Sequence, residues 1–284
     1  MDSSIITVPA RRSLPNAESK MNLVDTHSHI YLEEFSDDLS SVITRAREAG
    51  LTHIFLPNID KESIEPMLQV CRKYPALCYP MMGLHPTSVD LSYQKQLAVV
   101  EEQLKSNPEF VAVGEIGLDL YWDKTWLPQQ LDAFDRQIRW ALEYQLPIVV
   151  HCRDAFDELH QSLLPYRYSG LTGVFHSFTG TPEDARKLMQ FSGFLFGING
   201  VVTFRNSSLP ATLKEIPLEK IVLETDAPYL TPVPFRGKRN ESAYVRYTLS
   251  KVAEIYHKTE ADVAKITSDN ALRLFTRAKE EKRF

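Results

Sequence analysis

The segment LPQQLDAFDRQIRWALEYQLPIVVHCRD, residues 127–154, sets the pattern of the whole chain. Leu131, Phe134, Ile138, Ala141 and Leu142 recur at helical spacing, so Leu127–Gln145 reads as a helix with one apolar side. After Pro147 comes Ile148–Val150, short, apolar and β-branched, as a buried strand requires. His151 then stands where that strand ends.

The same alternation extends in both directions. Strands are expected at Leu23–Thr26, His53–Pro57, Leu77–Gly83, Phe110–Gly114, Gly173–His176, Phe194–Ile198 and Ile221–Glu224. Helices are expected at Asp37–Ala49, ended by Gly50, and at Lys61–Tyr74, stopped by Pro75. Others follow at Tyr93–Lys105, Ala155–Leu164, Pro182–Phe191 and, more briefly, Leu209–Glu215. Two helices close the chain, Ala243–Tyr256 and Glu260–Phe275. Apolar strands alternating with helices imply a parallel sheet covered by helices. Eight such units suit the α/β class as a closed (β/α)8 TIM-type barrel, a single domain over residues 21–284. A doubly wound open sheet is the alternative, weakened because no Gly-rich phosphate loop opens a helix.

Composition bounds the function. A hydrophobic fraction of 43% with 24% charged residues is that of an ordinary globular protein. No apolar run approaches the ~20 residues of a membrane span. The three cysteines, Cys71, Cys78 and Cys152, are too few for a disulfide framework and suit a reducing, cytoplasmic setting. The net charge of −5 argues against nonspecific coating of nucleic acid. A DNA-handling role then requires a local positive patch and bound cations. Residues 1–20 carry no periodic apolar pattern and read as a disordered N-terminal extension. An upstream start, an expression remnant or a transit peptide are the other readings, and Ile5–Val8 is too short for a signal-peptide core. A monomer is expected, since no surplus amphipathic helix demands a partner.

The polar residues fall where the strands end. Asp25-Thr26-His27-Ser28-His29 follows the first strand, and in extended chain Asp25, His27 and His29 share one face. His85, Glu115, His151, His176 and Asp226 occupy comparable positions later. In a barrel these ends converge on one face, where active sites lie. Taken singly, His151 or His176 reads as a hydrogen-bonded strand-end histidine, Glu115 as an arginine's partner, Asp226 as a cap and His85 as a turn residue. Together, so many buried imidazoles and carboxylates are costly unless a cation satisfies them. His27, His29 and Asp226 can form one site, His151 and His176 a second, with Glu115 bridging. Paired ions ~3.5–4 Å apart activate a water between them and stabilise an in-line displacement. The mixed nitrogen and oxygen donors suit two divalent ions such as Zn, Mn, Ni or iron, and do not require Mg. Beyond the last strand, Arg236, Lys238 and Arg239 offer a basic loop for substrate phosphate, and Arg153 is a further candidate. Tyr121, Trp122 and Trp126 can stack on bases or pack on the next helix.

These motifs, with Gly83-Leu84-His85-Pro86, Gly114-Glu115-Ile116-Gly117-Leu118-Asp119, His151-Cys152-Arg153, His176-Ser177-Phe178, Glu224-Thr225-Asp226-Ala227-Pro228 and Arg236-Gly237-Lys238-Arg239-Asn240-Glu241, resemble the TatD-like metal-dependent deoxyribonucleases. The likeness runs in order from about Asn22 to Phe275. It implies an amidohydrolase-type barrel and a two-metal hydrolase trimming DNA, by preference from the 3′ end of single strands, through a bridging hydroxide. It implies that Glu115 bridges the metals and that His27, His29, His151, His176 and Asp226 complete the ligands. It places His85 near the scissile phosphate and lets Asp226 take a proton from the attacking water. One departure is Ser242, where the family often has proline after Asn-Glu.

Two other functions compete. A related barrel hydrolase acting on a small amide, lactone or phosphoester would use similar ligands. The basic loop favours phosphate, and relatives acting on amides often carry a carboxylated lysine where Glu115 stands. A noncatalytic binding scaffold would have no need of six candidate ligands.

Overall fold

The computed structural model describes residues 21–279, so the expected N-terminal extension lies outside the described residues. Eight parallel strands alternate with helices: β1 (Leu23–Asp25), α1 (Leu39–Glu48), β2 (Leu51–Pro57), α2 (Ile64–Lys73), β3 (Cys78–Met81), α3 (Tyr93–Ser106), β4 (Val113–Asp119) and α4 (Leu127–Tyr144). Then come β5 (Ile148–Arg153), α5 (Phe156–Leu163), β6 (Gly173–Phe175), α6 (Pro182–Leu188), β7 (Phe194–Ile198), α7 (Leu209–Leu213), β8 (Ile221–Leu223), α8 (Val245–Tyr256) and α9 (Glu260–Leu274). The ladders join β1–β2–β3 and β4–β5–β6–β7–β8. Two narrower seams close the ring. Met82 bridges Val113 between β3 and β4, and Ser28 bridges Ala227 beyond β1 and β8. The chain is thus a closed (β/α)8 barrel, as the alternation predicts.

The ring is filled in layers. Val24, Phe55, Tyr79, Val149, Val174 and Val222 meet inside it, with Leu195 packed alongside. Ala271 and Phe275, at the end of α9, belong to the same cluster and plug the N-terminal mouth of the barrel. Two residues further along their strands, Val149, Val174 and Val222 lead to His151, His176 and Glu224. Strand alternation therefore sets a polar layer directly above an apolar one. The second, larger core lies between the strands and the surrounding helices. Local signals fix the helix ends. Thr181 and Asp184 form a reciprocal cap on α6. α4 and α8 stop at Gln145 and His257, both left-handed, with φ of 54° and 52°.

One strand differs from expectation. The reading of Phe110–Gly114 ends the fourth strand before Glu115, whereas β4 runs on to Asp119. Its register against β5 is irregular between Val113 and Ile116, and this irregularity carries Glu115 within the strand. Gly117 makes the continuation feasible: its φ is +142°, and a Cβ there would stand 2.0 Å from the His151 carbonyl oxygen.

Phe275 is fully buried and stacks on Phe55 with ring centroids 4.3 Å apart. Phe275→Ala is expected to cost about 3–5 kcal/mol. Urea unfolding would read this as a lower midpoint at unchanged slope, and a cost below about 1 kcal/mol would deny the plug its role.

Candidate metal centre and active site

The C-terminal mouth of the barrel opens into a cavity of 670 Å³. His29, His85, Glu115, His151, His176 and Asp226 line it, with Asp119, Trp122, Arg153 and Tyr229 around them. Glu115 is 3% exposed and lies at the centre. Its Oε2 is 3.0 Å from His27 Nε2 and 3.7 Å from His29 Nε2. Its Oε1 is 2.9 Å from His151 Nδ1, 3.3 Å from His85 Nε2 and 3.7 Å from His176 Nε2. Asp226 Oδ1 completes the arrangement, 3.4 Å from His29 Nε2 and 3.8 Å from both His27 Nε2 and His176 Nε2.

The donor atoms form three overlapping groups, each compact enough to hold a cation: His27–His29–Asp226, His27–Glu115–His176 and His85–Glu115–His151. The first is the site expected from sequence. His151 Nδ1 and His176 Nε2 both face Glu115 Oε1, at 2.9 and 3.7 Å, and His176 also groups with His27. The two rings of His27 and His176 stack with centroids 3.4 Å apart.

At four of the five rings, the nitrogen turned away from the centre meets a neighbouring group. The Tyr31 hydroxyl donates to the Pro57 carbonyl and lies 2.9 Å from His29 Nδ1, so that nitrogen donates and His29 Nε2 keeps its lone pair. Asp119 Oδ2 lies 2.9 Å from His151 Nε2, which leaves His151 Nδ1 free to ligate. Glu224 Oε1 lies 3.1 Å from His176 Nδ1, an ion-pair contact that turns His176 Nε2 toward the centre. Such partners orient ligand imidazoles and raise their basicity. His85 is set the other way. Its Nδ1 accepts from the Thr87 backbone N–H, so in the neutral ring the proton sits on Nε2, which points into the centre. Distance groups His85 with the ligands, but its tautomer makes it a donor.

Tyr31, Asp119 and Glu224 were not singled out from sequence. Asp119 lies four residues from Glu115 along β4, on the same side. Tyr31, by contrast, lies in a turn after His29, and Asp226, two residues after Glu224, has a φ of 57°, so spacing alone does not reveal Tyr31 or Glu224. Gly197 was missed as well. A Cβ there would meet a Glu224 carboxylate oxygen at 2.3 Å, so only glycine leaves room for that carboxylate.

Protonation fits a cation centre. Burial and the neighbouring His176 lower His27 to about 4, so it is neutral near pH 7. Burial opposes protonation of His176, yet Glu224 and Glu115 outweigh it and raise that ring to about 10. Burial would raise Glu115, but His85, His27 and His176 hold it well below the usual carboxylate range. Two imidazole nitrogens only 3.2 Å apart, those of His27 and His29, can share no more than one proton. Nitrogen and carboxylate donors crowded this closely fit divalent metal ions.

The basic residues fall in two places. Arg153 lines the cavity. Arg239 is paired with both oxygens of Asp38, at 2.9 and 2.8 Å, donates to the Glu34 carbonyl and lies over the Phe35 ring. Arg236 lies 3.8 Å above the Phe204 ring. Neither these two nor Lys238 is among the cavity-lining residues. Next to them, Glu241 receives Arg45 of α1 through three contacts of 2.6–3.0 Å. Ser242, the departure noted above, donates to Ser28 Oγ at 3.1 Å, between the two histidines of the first motif. Trp126 packs against the core. Asp25 is buried and accepts from the Thr225 backbone and hydroxyl, tying the first motif to the last.

The sequence profile of TatD-related DNases matches residues 24–276. The chain belongs to the TatD family. Among its relatives, an uncharacterized metal-dependent hydrolase of Bacillus subtilis, YabD, is 38% identical over 254 residues, spanning 89% of this chain and 98% of that protein. A 3′-5′ ssDNA/RNA exonuclease, TatD, of Erwinia tasmaniensis is 31% identical over 248 residues, or 85% and 95% of the two chains. The crystal structure of the TatD homologue YjjV from Escherichia coli superposes with a TM-score of 0.84 at 29% identity, covering 89% of this chain and 98% of that one. Membership makes this protein a metal-dependent hydrolase, and no helix among the described residues is long and apolar enough to cross a membrane.

A cation at His176 Nε2 must displace the proton that Glu224 and Glu115 hold there. Metal uptake is therefore expected to release protons near neutrality and to tighten as pH rises. Isothermal titration calorimetry in buffers of different ionisation enthalpy would show this, and a buffer-independent enthalpy would contradict it.

Proposed function

We propose that this chain is a two-metal deoxyribonuclease that removes nucleotides from the 3′ ends of single strands. The observation that carries the reading is the centring of Glu115 among five imidazoles at the floor of a cavity that also holds Arg153. The relative named for 3′-5′ ssDNA/RNA exonuclease activity supports the polarity and the substrate.

In this reading His27, His29, His151, His176, Asp226 and the central Glu115 would hold two divalent ions; Mg, Zn, Mn and Ni are the candidates. Such ions would supply an activated water and neutralise charge on the phosphate. The remaining work falls to side chains. Arg153 binds a phosphate oxygen through its planar guanidinium. Asp226, 14% exposed at the cavity floor, takes the proton of the attacking water. His85 donates its Nε2 proton toward the phosphate or the departing 3′ oxygen, the role its tautomer favours. The product strand then ends in a 3′ hydroxyl ready for the next cycle. We assign Arg236, Lys238 and Arg239 to the strand beyond the cavity, with Arg239 discounted because Asp38 already neutralises it.

A gel time course tests this, using metal-loaded protein on DNA and RNA oligonucleotides labelled at either end, single- and double-stranded. A ladder shortening from the 3′ end is expected. Glu115→Ala and His151→Ala should each reduce turnover at least ~1,000-fold while circular dichroism stays unchanged. Retained activity in both variants would remove the two-metal reading. Cleavage of small phosphoesters, lactones or amides without any cleavage of oligonucleotides would replace it with a small-molecule hydrolase.

A further inference from the structure

Trp122 is 71% exposed and Tyr121 is 52% exposed, on the loop between β4 and α4. An indole left in water forgoes the stabilisation that burial brings. The exposure is specific, because Trp126, four residues on, packs against the core. Nor are the two rings loose. They meet edge-to-face with centroids 4.8 Å apart. The Arg153 guanidinium lies 3.7 Å from the Tyr121 ring centroid and 5.4 Å from that of Trp122. Trp122 and Arg153 line the same cavity as Glu115, His151 and Asp226.

Asp119 fixes this loop relative to the centre. One of its oxygens accepts from the backbone N–H of Tyr121 and of Trp122, at 3.0 and 3.4 Å. The other faces His151 Nε2 at 2.9 Å. A single carboxylate thus orients a candidate metal ligand and holds the aromatic loop in register with it. The distance from platform to reacting centre is set by that side chain.

We propose that Trp122, backed by Tyr121 and Arg153, is a stacking subsite for one unpaired nucleobase of the strand whose phosphate lies at the Glu115 cluster. The proposal rests on the nuclease reading above. Every base has a π face, so such a platform binds without regard to sequence. Arg153 serves two ends: it stiffens the platform through its ring contact and presents its edge to the phosphate. A base within a duplex reaches the indole only after leaving its stack. The subsite therefore selects single-stranded or frayed ends.

The test compares metal-loaded wild type, Trp122→Ala and Trp122→Phe on a single-stranded oligonucleotide and on versions with an abasic residue at each terminal position in turn. Trp122→Ala is expected to raise KM about tenfold on the base-bearing strand, with Trp122→Phe recovering most of it. An abasic residue at one position should collapse the difference between wild type and Trp122→Ala. An equal loss on the base-bearing and all abasic strands overturns the proposal, because the indole would then act on the fold alone. Fluorescence anisotropy of a labelled oligonucleotide with metal-free protein reads binding without turnover. Equal Kd for wild type and Trp122→Ala also overturns the subsite. Trp122-dependent binding with no cleavage by wild type would leave the subsite standing and remove the nuclease reading instead.

Discussion

Everything at the mouth of this barrel depends on one buried carboxylate. Glu115 is held where five imidazoles converge, and a carboxylate out of water is tolerated only with charge or hydrogen bonds to match. Its placement uses an irregular stretch of β4 rather than the loop beyond it. The strand then resumes, so Asp119 arrives on the same side and takes hold of His151. A plain strand end would present Glu115 without Asp119, and His151 would lose the contact that sets its tautomer.

The same logic repeats around the ring. Tyr31 restrains His29, Asp119 restrains His151 and Glu224 restrains His176, and each leaves one nitrogen facing inward. At His85 the outer nitrogen instead accepts from the Thr87 backbone N–H, so the neutral ring turns a proton into the centre. Ligands and donor are thus distinguished by their outer hydrogen bonds, not by residue type. Room for this outer layer is itself built in, as at Gly197, where any side chain would displace Glu224.

The loop after β8 is tied back to the start of the barrel. Arg239 pairs with Asp38 of the segment before α1, and Glu241 pairs with Arg45 of α1 itself. The tie brings Asn240 and Ser242 against the first and last motifs, where Asn240 donates to the Thr225 carbonyl and Ser242 to Ser28. Much of the motif's chemistry therefore fastens the two ends of the barrel together. The aromatic loop after β4, by contrast, stays open to the cavity and is anchored through Asp119.

What the sequence determined by itself was local. Alternating strand and helix patterns arise from backbone geometry within a few residues, so eight units and their order were legible, as was the recurrence of His27, His29, Glu115, His151, His176 and Asp226 late in or just after the apolar runs. The family motifs were equally legible, because they are contiguous. Only the tertiary structure decided the partners. Asp25 meets Thr225 across 200 positions and Arg239 meets Asp38 across 201, and no periodicity encodes such pairs. It likewise decided that His176 sits with His27, that Glu115 lies inside β4, and which nitrogen of each ring faces inward. Those outcomes depend on how eight strand ends close around one point, which is a property of the ring and not of any segment in it.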